Sequence, residues 1–334
     1  MNTNCCERRD EKQKSNTIDY LRATAIILVV IQHAMSYGKA YFGAGSAGYA
    51  HFITIINFVN VPLFFMIAGY LCHSQDVLKY YKKKFFQIFI PFLVFTSLKF
   101  VCNLFFEQFS HSSNVGIEFL TAYVFGDYYW FSYALLLMCL IAPLLWKLKN
   151  KVVLIGVFLL LVFFNIANGF LRFISQGGPF QIFSVIIYGT WFLLGYVLRQ
   201  LNAQNLLNIK PVKHITLLIS ITASFLVIFL SIKGMFIAFL SKFIVSVSIS
   251  YILLYIFSSM HFKIPLLNYI SNYSYQIFLL DSFVKVVLFM IASKLVTIST
   301  PIIILLAILN ILISMIISFI VHKIKYAKTL LGLS

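Results

Sequence analysis

Apolar runs of about twenty residues recur along almost the whole chain. A helix of about 20 residues can cross a bilayer, and every backbone polar group inside the hydrocarbon core must be bonded within the segment. The mean hydropathy of +0.94 agrees with a chain that lipid surrounds. The sequence therefore predicts an all-α membrane protein with about ten transmembrane helices. The runs are residues 18–36, 52–73, 85–106, 128–146, 152–168, 180–200, 214–232, 236–259, 266–293 and 300–322.

The least certain boundary between two runs lies within residues 214–259, because only the stretch "SIKGMF" separates the run 214–232 from the run 236–259. If the two runs formed one helix, the chain would cross the membrane nine times. Nine spans is therefore the alternative count.

Positive charges fall mainly on one side of the predicted membrane. With the N-terminus in the cytoplasm, four of the 26 Lys and Arg residues lie in outer segments and four within spans, which leaves 18 in cytoplasmic segments. Lys and Arg accumulate in short cytoplasmic loops, so we expect both termini in the cytoplasm. The outer residues are Lys39, Arg172, Lys233 and Lys294, and those within spans are Arg22, Lys99, Lys242 and Lys285.

Three regions follow from this topology. Residues 1–17 are expected to form a disordered cytoplasmic tail, residues 18–323 the membrane domain and residues 324–334 a second cytoplasmic tail. We expect a multi-pass protein of the cell membrane, such as a bacterial inner membrane or a plasma membrane. The same charge bias explains the net charge of +17 through anionic membrane lipid, without a nucleic-acid partner. The five cysteines show no C-x-x-C spacing, and no metal site is predicted.

The first span carries two ionisable residues, Arg22 and His33, in an otherwise apolar helix. An interval of 11 residues is about three helical turns plus 20°, so the two side chains share one face about 16 Å apart along the axis. Charged residues in lipid are costly and usually face a cavity or a partner. Arg22 could instead reach the lipid headgroups, and His33 could only bond a neighbouring helix.

These residues resemble the acyltransferase-3 family of membrane O-acyltransferases, whose signature is an Arg-x10-His pair in the first span. Here the pair reads "IDYLRATAIILVVIQH", which agrees with the family at Asp19, Arg22 and His33. Later stretches are similar to the family's other spans. They are "VPLFFMIAGYL" (61–71), "KKKFFQIFIPF" (82–92), "YWFSYALLLMCLIAPLL" (129–145), "WFLLGYVL" (191–198) and "ISNYSYQIFLLD" (270–281).

Three positions depart from the family's pattern. Ala68 stands where the second span has serine, and Gln87 stands where a basic residue often precedes the third-span proline by four. Asp281 stands where the penultimate motif often ends in histidine. The first-span pair is intact.

The resemblance implies transfer of an acyl group, commonly acetyl, from cytosolic acyl-CoA to a carbohydrate hydroxyl at the cell surface or on a lipid carrier. It implies His33 and Arg22 as catalytic residues. An imidazole can remove the proton of an attacking hydroxyl, and a guanidinium can place two donors on a phosphate or an oxyanion. His33 could instead accept the acyl group covalently. Acyl-CoA, with acetyl-CoA foremost, is then the donor substrate.

Five further residues are candidates for supporting roles. Asp19 could orient Arg22, or simply pair with it at i,i+3. Asp281 could hold the tautomer of His33, or be neutralised by Lys285 one turn away. The remaining candidates are Asn57 and Asn60 for carbohydrate docking and Lys84 for the phosphates of coenzyme A.

A different class of protein, an exporter or flippase for polysaccharide or lipid-linked glycan, would also suit ten helices with polar residues inside. Transporters often show internal repeats and helices broken by Gly or Pro at the midplane of the membrane. Neither feature stands out in this chain. A polar pair on one face, at two depths, favours group transfer over transport.

Overall fold

The apolar runs are helical over most of their described residues in the computed structural model, which describes residues 3–43, 47–105, 115–171, 174–201, 210–232, 238–260, 262–324 and 327–332. These ranges contain no β-strand, which agrees with the predicted all-α class. In chain order the α-helices are α1 (Thr3–Phe42), α2 (Ala47–Leu71), α3 (Val77–Lys84), α4 (Ile90–Phe105), α5 (Val115–Phe119), α6 (Trp130–Lys147), α7 (Lys151–Leu171), α8 (Ile182–Gln200), α9 (Lys210–Ile232), α10 (Ala238–Ser259), α11 (Pro265–Asn272), α12 (Ser274–Leu295), α13 (Thr300–His322) and α14 (Ala327–Leu330).

The predicted count of ten spans is confirmed, because ten helical segments of the described chain are long and apolar enough to cross a membrane. The doubtful region 214–259 forms two separate candidate spans, Pro211–Phe229 and Phe239–Ser259. The third span is a single segment, Val77–Phe105, in which a π-helical turn joins α3 to α4.

Three helix boundaries differ from the sequence prediction. Helix α1 begins at Thr3 and so includes most of the segment expected to be a disordered tail, which is rich in the helix formers Glu, Lys, Gln and Arg. The third span begins earlier than residue 85, since Asp76 caps α3 by accepting a hydrogen bond from Lys79 N at 2.7 Å. The run 266–293 divides at Tyr273 into α11 and α12, and only α12 is long enough to be a candidate span.

The chain forms two compact units, each built from two stretches of sequence. The first comprises Met1–Ile67 and Asn202–Met315, and the second comprises Ala68–Leu201 and Ile316–Ser334. Because lipid tails are as apolar as Leu, the helices of such a unit associate through close packing and hydrogen bonds rather than through exclusion of water.

Helix α1 lies at the centre of the first unit, where it packs against α10, α11 and α12. Its buried residues Ile26 and Val30 belong to an apolar cluster with Ile277 of α12 and Ile303 of α13. Just before α11 begins, the backbone N–H of Ile264 donates to the hydroxyl of Tyr20 on α1 at 2.9 Å. This packing holds one face of α1 against α12 along the C-terminal half of α1.

The second unit contains the α3–α4 span and helices α6, α7 and α8. Within it α2 ends in close contact with α8, because a Cβ placed on Gly69 would lie 1.8 Å from the carbonyl oxygen of Phe192. The C-terminal helix α14 packs against α4, and Leu331 just after it is buried.

Candidate active site

The structure joins His33 of α1 to Asp281 of α12, two residues 248 positions apart in the sequence. The imidazole Nδ1 lies 2.7 Å from the Oδ2 atom of Asp281. Asp281 is buried, with only 2% of its side chain exposed, whereas 33% of the His33 side chain is exposed. The pair therefore has a buried carboxylate end and an accessible imidazole end.

Three helices hold the carboxylate of Asp281. Lys285, one turn further along α12, places Nζ 3.4 Å from Oδ2. Asn310 of α13 donates through Nδ2 to Oδ1 at 2.7 Å, and the Ser314 hydroxyl donates to the Asn310 Oδ1 at 3.2 Å. Both carboxylate oxygens thus accept hydrogen bonds, as a buried charge in an apolar interior requires.

The bonding of Asp281 fixes the tautomer of His33. An ammonium and an amide NH₂ can only donate, so Asp281 acts as an ionised acceptor towards Lys285 and Asn310. The Nδ1 atom of His33 must then carry a hydrogen that it donates to Asp281, and in the neutral form of the ring Nε2 keeps its lone pair. Among the described residues, Nε2 makes no hydrogen bond to protein. A neutral imidazole oriented by a carboxylate is the arrangement of a general base.

Arg22 lies on α1 near the start of the span, with 29% of its side chain exposed. Its Nη1 atom is 3.6 Å from Oδ1 of Asp19, and that oxygen accepts a hydrogen bond from Ser271 of α11 at 3.1 Å. Asp19 is thus held from a neighbouring helix and faces Arg22, as the i,i+3 spacing predicts. Within the described part of the chain Arg22 donates no hydrogen bond, so its five N–H groups are available to an anion.

Arg22 and His33 do not contact each other. They lie at two levels of α1, about 16 Å apart along its axis. The candidate site therefore has two parts in the first unit, an Arg22–Asp19 part and a His33–Asp281 part.

The two asparagines of α2 make no hydrogen bond to His33 among the described residues. Asn60 is buried, and its Oδ1 accepts a hydrogen bond from Val61 N at 2.7 Å, while its Nδ2 has no partner there. Asn57 is half-buried and makes no hydrogen bond in the same set of residues. Carbohydrate docking by either side chain stays a prediction.

Lys84 belongs to the second unit, where its Nζ lies 5.6 Å from the centre of the Tyr80 ring. Tyr80 in turn packs edge-on against Trp146, whose Nε1 donates to the Cys72 sulfur at 3.3 Å. Burial raises the pKa of the Cys72 thiol, so this thiol stays protonated at neutral pH and is a poor nucleophile. The contacts of Lys84 leave its role towards coenzyme A a prediction.

Sequence reasoning missed two residues of the site, Asn310 and Ser271. Asn310 carries a signal, since it is an amide in the middle of the most apolar span, and polar residues inside membranes usually have a partner. Ser271 carries none, because serine is common in membrane helices and its partner Asp19 lies 252 positions away. The described residues contain no group of three or more His, Cys, Asp or Glu side chains that could hold a metal ion.

Comparison with known proteins gives one match. The family model of acyltransferase-3, described as an acyltransferase domain, matches residues 15–319, nearly the whole chain. No curated protein and no solved structure matches. The matched range includes both parts of the candidate site, nine whole candidate spans of the described chain and all but the last three residues of the tenth.

Proposed function

This chain belongs to the acyltransferase-3 family, and on that premise we propose that it moves an acetyl group from cytosolic acyl-CoA to a hydroxyl of a cell-surface or lipid-linked carbohydrate. Membership and the ten apolar helices make the protein a membrane acyltransferase for groups other than aminoacyl groups. The acetyl donor and the carbohydrate acceptor are the proposed parts.

The observation that carries the proposal is the His33–Asp281 hydrogen bond of 2.7 Å. In the proposed reaction, Nε2 of His33 takes the proton from the acceptor hydroxyl as its oxygen attacks the thioester carbonyl carbon. The negative charge of Asp281 stabilises the imidazolium that forms. When the carbon–sulfur bond breaks, the imidazolium returns the proton to the departing thiolate of coenzyme A. The acyl group is then bonded to the acceptor oxygen, the proton is on the sulfur of coenzyme A, and His33 is neutral again.

The unused N–H groups of Arg22 support a role in binding the acyl-CoA donor. Coenzyme A carries phosphates at one end and the thioester at the other, so its two ends need sites at different depths. A guanidinium with unused donors, about 16 Å from the imidazole, suits the phosphate end. Asp19, held by Ser271, would keep the guanidinium in place while the phosphates bind.

Transfer from labelled donor tests the function directly. Inverted vesicles containing the protein are supplied with radiolabelled acetyl-CoA, and label is measured in the extracted glycan and lipid-linked fractions. We expect label in a carbohydrate fraction. Wild-type vesicles that leave every carbohydrate fraction unlabelled would contradict the proposal, and glycan movement across the same vesicles without label would favour an exporter.

His33→Asn is the decisive variant in this assay. We expect transfer to fall by about 10² to 10⁴, the usual contribution of a positioned general base. The protein should still insert and accumulate, because a lost polar contact in a membrane helix costs about 0.6 kcal/mol and Asp281 keeps Lys285 and Asn310 as partners.

The matched control is His51→Asn, which makes the same change at an exposed histidine of α2 and should leave transfer unchanged. A His33→Asn protein that is abundant and transfers at the wild-type rate would show that His33 has only a structural role, as a hydrogen-bond partner between α1 and α12.

A further inference from the structure

Two polar residues accompany His33 on α1. Gln32 directly precedes His33, and Ser36 lies one turn after Gln32. Apart from Gln32 and His33, every residue from Ala25 to Met35 is apolar. The Nε2 atom of Gln32 donates a hydrogen bond to the Oγ atom of Ser36 at 3.3 Å. An amide inside a membrane is costly unless it faces a partner or a cavity, so the surroundings of this pair decide its role.

The face of α1 that carries Gln32 and Ser36 is turned towards neighbouring helices. An interval of 11 residues is about three turns plus 20°, so Gln32 lies on the same face as Leu21, and Ser36 on the same face as Ala25. Leu21 and Ala25 are buried in an apolar cluster. Its members on neighbouring helices are Leu63, Phe64 and Ile67 of α2 and Leu253, Leu254 and Phe257 of α10.

Helix α2 stays beside α1 as far as the level of the pair. The Tyr49 hydroxyl of α2 donates to the backbone carbonyl of Met35 at 2.6 Å. Helix α2 therefore contacts α1 both before Gln32 along the chain, at Ala25, and after it, at Met35. Ala25 and Met35 are buried, whereas the side chains of Gln32, His33 and Ser36 are each partly exposed. The three polar side chains are thus accessible at a level where protein lies alongside.

Gln32 and Ser36 together offer one hydrogen-bond acceptor and one donor. Within the described part of the chain neither side chain makes a further hydrogen bond. Because Nε2 of Gln32 donates to Ser36, the Oε1 atom of Gln32 is left to accept and the hydroxyl hydrogen of Ser36 is left to donate. A ligand hydroxyl both donates and accepts, so it complements the pair. A carboxylate only accepts and an ammonium only donates, so each would complement half of it.

Ser36 places the pair beside the imidazole. Residues three apart on a helix are neighbours, with Cβ atoms about 5–6 Å apart, so Ser36 is next to His33. Helical side chains lean towards the N-terminus, which brings the Ser36 hydroxyl back towards the level of His33. The hydrogen bond to Ser36 draws the Gln32 amide to the same place. A ligand with one hydroxyl at His33 can therefore reach the pair with a second hydroxyl.

We propose that Gln32 and Ser36 form a binding site for a second hydroxyl of the carbohydrate acceptor, beside the hydroxyl that attacks the thioester. The inference rests on the proposed role of His33 in acyl transfer. It extends that role by naming the residues that hold the acceptor and the property that they select, which is a pair of neighbouring hydroxyls.

The dependence of transfer on acceptor concentration tests the proposal. Proteoliposomes are supplied with labelled acetyl-CoA and with increasing amounts of glycan extracted from the native cells. Gln32→Met and Ser36→Ala each remove one hydrogen-bonding group and should each raise the KM for glycan by about 3- to 10-fold, the effect of one hydrogen bond. The kcat should change little, because this contact is made equally in the ground state and the transition state.

Matched controls make the same changes at exposed positions. Gln75→Met and Ser293→Ala should leave the KM for glycan unchanged. Equilibrium binding of labelled acetyl-CoA should be normal in all four variants. If Gln32→Met and Ser36→Ala lower kcat but leave the KM for glycan unchanged, the two residues have a structural role only and the proposal is overturned.

Thiol labelling provides a readout that needs no acyl transfer. Ser36→Cys protein, purified in detergent, is treated with a hydrophilic thiosulfonate, and mass spectrometry of the peptide containing position 36 gives the rate. We expect Ser36→Cys to react, and to react several-fold more slowly when the extracted glycan is present. Ala25→Cys, which is buried on the same face, and Leu160→Cys, which is exposed in the middle of α7 where detergent covers it, should both stay unreactive.

A Ser36→Cys protein as unreactive as Leu160→Cys would show that no water-accessible site exists there, and reaction without protection by glycan would show that glycan does not bind there. Either result would overturn the inference.

The two proposals can fail separately. If wild-type protein transfers no acyl group but glycan protects Ser36→Cys, the carbohydrate site is real and the proposed transfer is wrong. If transfer depends on His33 but the KM for glycan is unchanged in both variants and glycan gives no protection, the function stands and the role of Gln32 and Ser36 is wrong.

Discussion

At the scale of single residues, the candidate site shows how a charge is accommodated inside a membrane protein. Asp281 stands where the family often has histidine, and an unpaired carboxylate there would be strongly unfavourable. Its two oxygens instead accept from His33, Lys285 and Asn310, contributed by three helices. Each partner limits the freedom of the others, so the imidazole is oriented before any substrate arrives.

Asp281→Asn tests whether that orientation matters. The amide has nearly the same shape but no charge, and its NH₂ group can face Nδ1 of His33 and stabilise the wrong tautomer. We expect transfer to fall by about 10² or more while the protein still inserts. The rate is measured with labelled acetyl-CoA at matched protein amounts.

The control for this variant is Asp76→Asn, because asparagine caps helices about as well as aspartate and α3 should be unaffected. Transfer by Asp281→Asn at the wild-type rate would mean that His33 needs no carboxylate.

Arg22→Ala and Arg22→Lys test the donor end of the site. Lysine keeps the charge but loses the two-pronged geometry, so we expect acyl-CoA binding to weaken in Arg22→Lys and to weaken further in Arg22→Ala. Equilibrium binding of labelled acetyl-CoA to purified protein measures both. The control is His33→Asn, which should bind acyl-CoA normally. Normal binding by both Arg22 variants would mean that Arg22 contacts lipid headgroups and does not bind the donor.

At the scale of helices, close approach depends on single small residues. Gly69 lets the end of α2 approach the backbone of α8, where a methyl group would lie 1.8 Å from the Phe192 oxygen. Backbone atoms cannot move aside as a flexible side chain can, so the two helices would have to separate. Small residues at such crossings are a general feature of helix packing in membranes.

Gly69→Ala should therefore destabilise the protein, by about 1–3 kcal/mol or more, the usual cost of overpacking. Gly156→Ala is the matched control, because a Cβ there meets nothing within 4 Å and alanine favours helix over glycine by about 1 kcal/mol. Thermal unfolding in detergent should show a lower midpoint for the first variant and an equal or higher midpoint for the second. Equal midpoints for both glycine variants would mean that α2 and α8 are not in close contact.

At the scale of the whole molecule, the even number of candidate spans in the described chain has a simple consequence. If all ten cross, the chain returns to the side of the membrane on which it started. The distribution of Lys and Arg predicts that this side is the cytoplasm. On that prediction Arg22 lies near the cytoplasmic boundary, on the side that would supply the proposed acyl-CoA donor, and His33 lies in the outer half of its span.

Reporter fusions test the orientation. Fusions after Gln75 and after Lys149 should report the cytoplasm, and fusions near Gly45 and Ser113 should report the outer side. Activities of a cytoplasmic and an extracytoplasmic reporter, measured in parallel at each point, give the location. An outer signal at Gln75 would reverse the depths of Arg22 and His33 and remove the basis for donor binding at Arg22.

Much of the protein could be predicted from the sequence, because the relevant physics is local. Backbone groups in lipid must bond within their own helix, so apolar length alone predicts the helical class and the count of ten, and both are confirmed for the residues that the structure describes. The shared face of Arg22 and His33 also follows from the geometry of one helix. The break at Tyr273 was missed, since it separates two stretches that are equally apolar in composition.

The sequence by itself determined the helices, the family and the pair Arg22 and His33 as candidates. The sequence left two possible partners for Asp281, and only the tertiary structure showed that Asp281 contacts both His33 and Lys285. It also brought Asn310 to the other carboxylate oxygen. The physical reason is that apolar helices can pack in many ways with similar energy, whereas a buried charge is tolerated only where the packing brings donors to it.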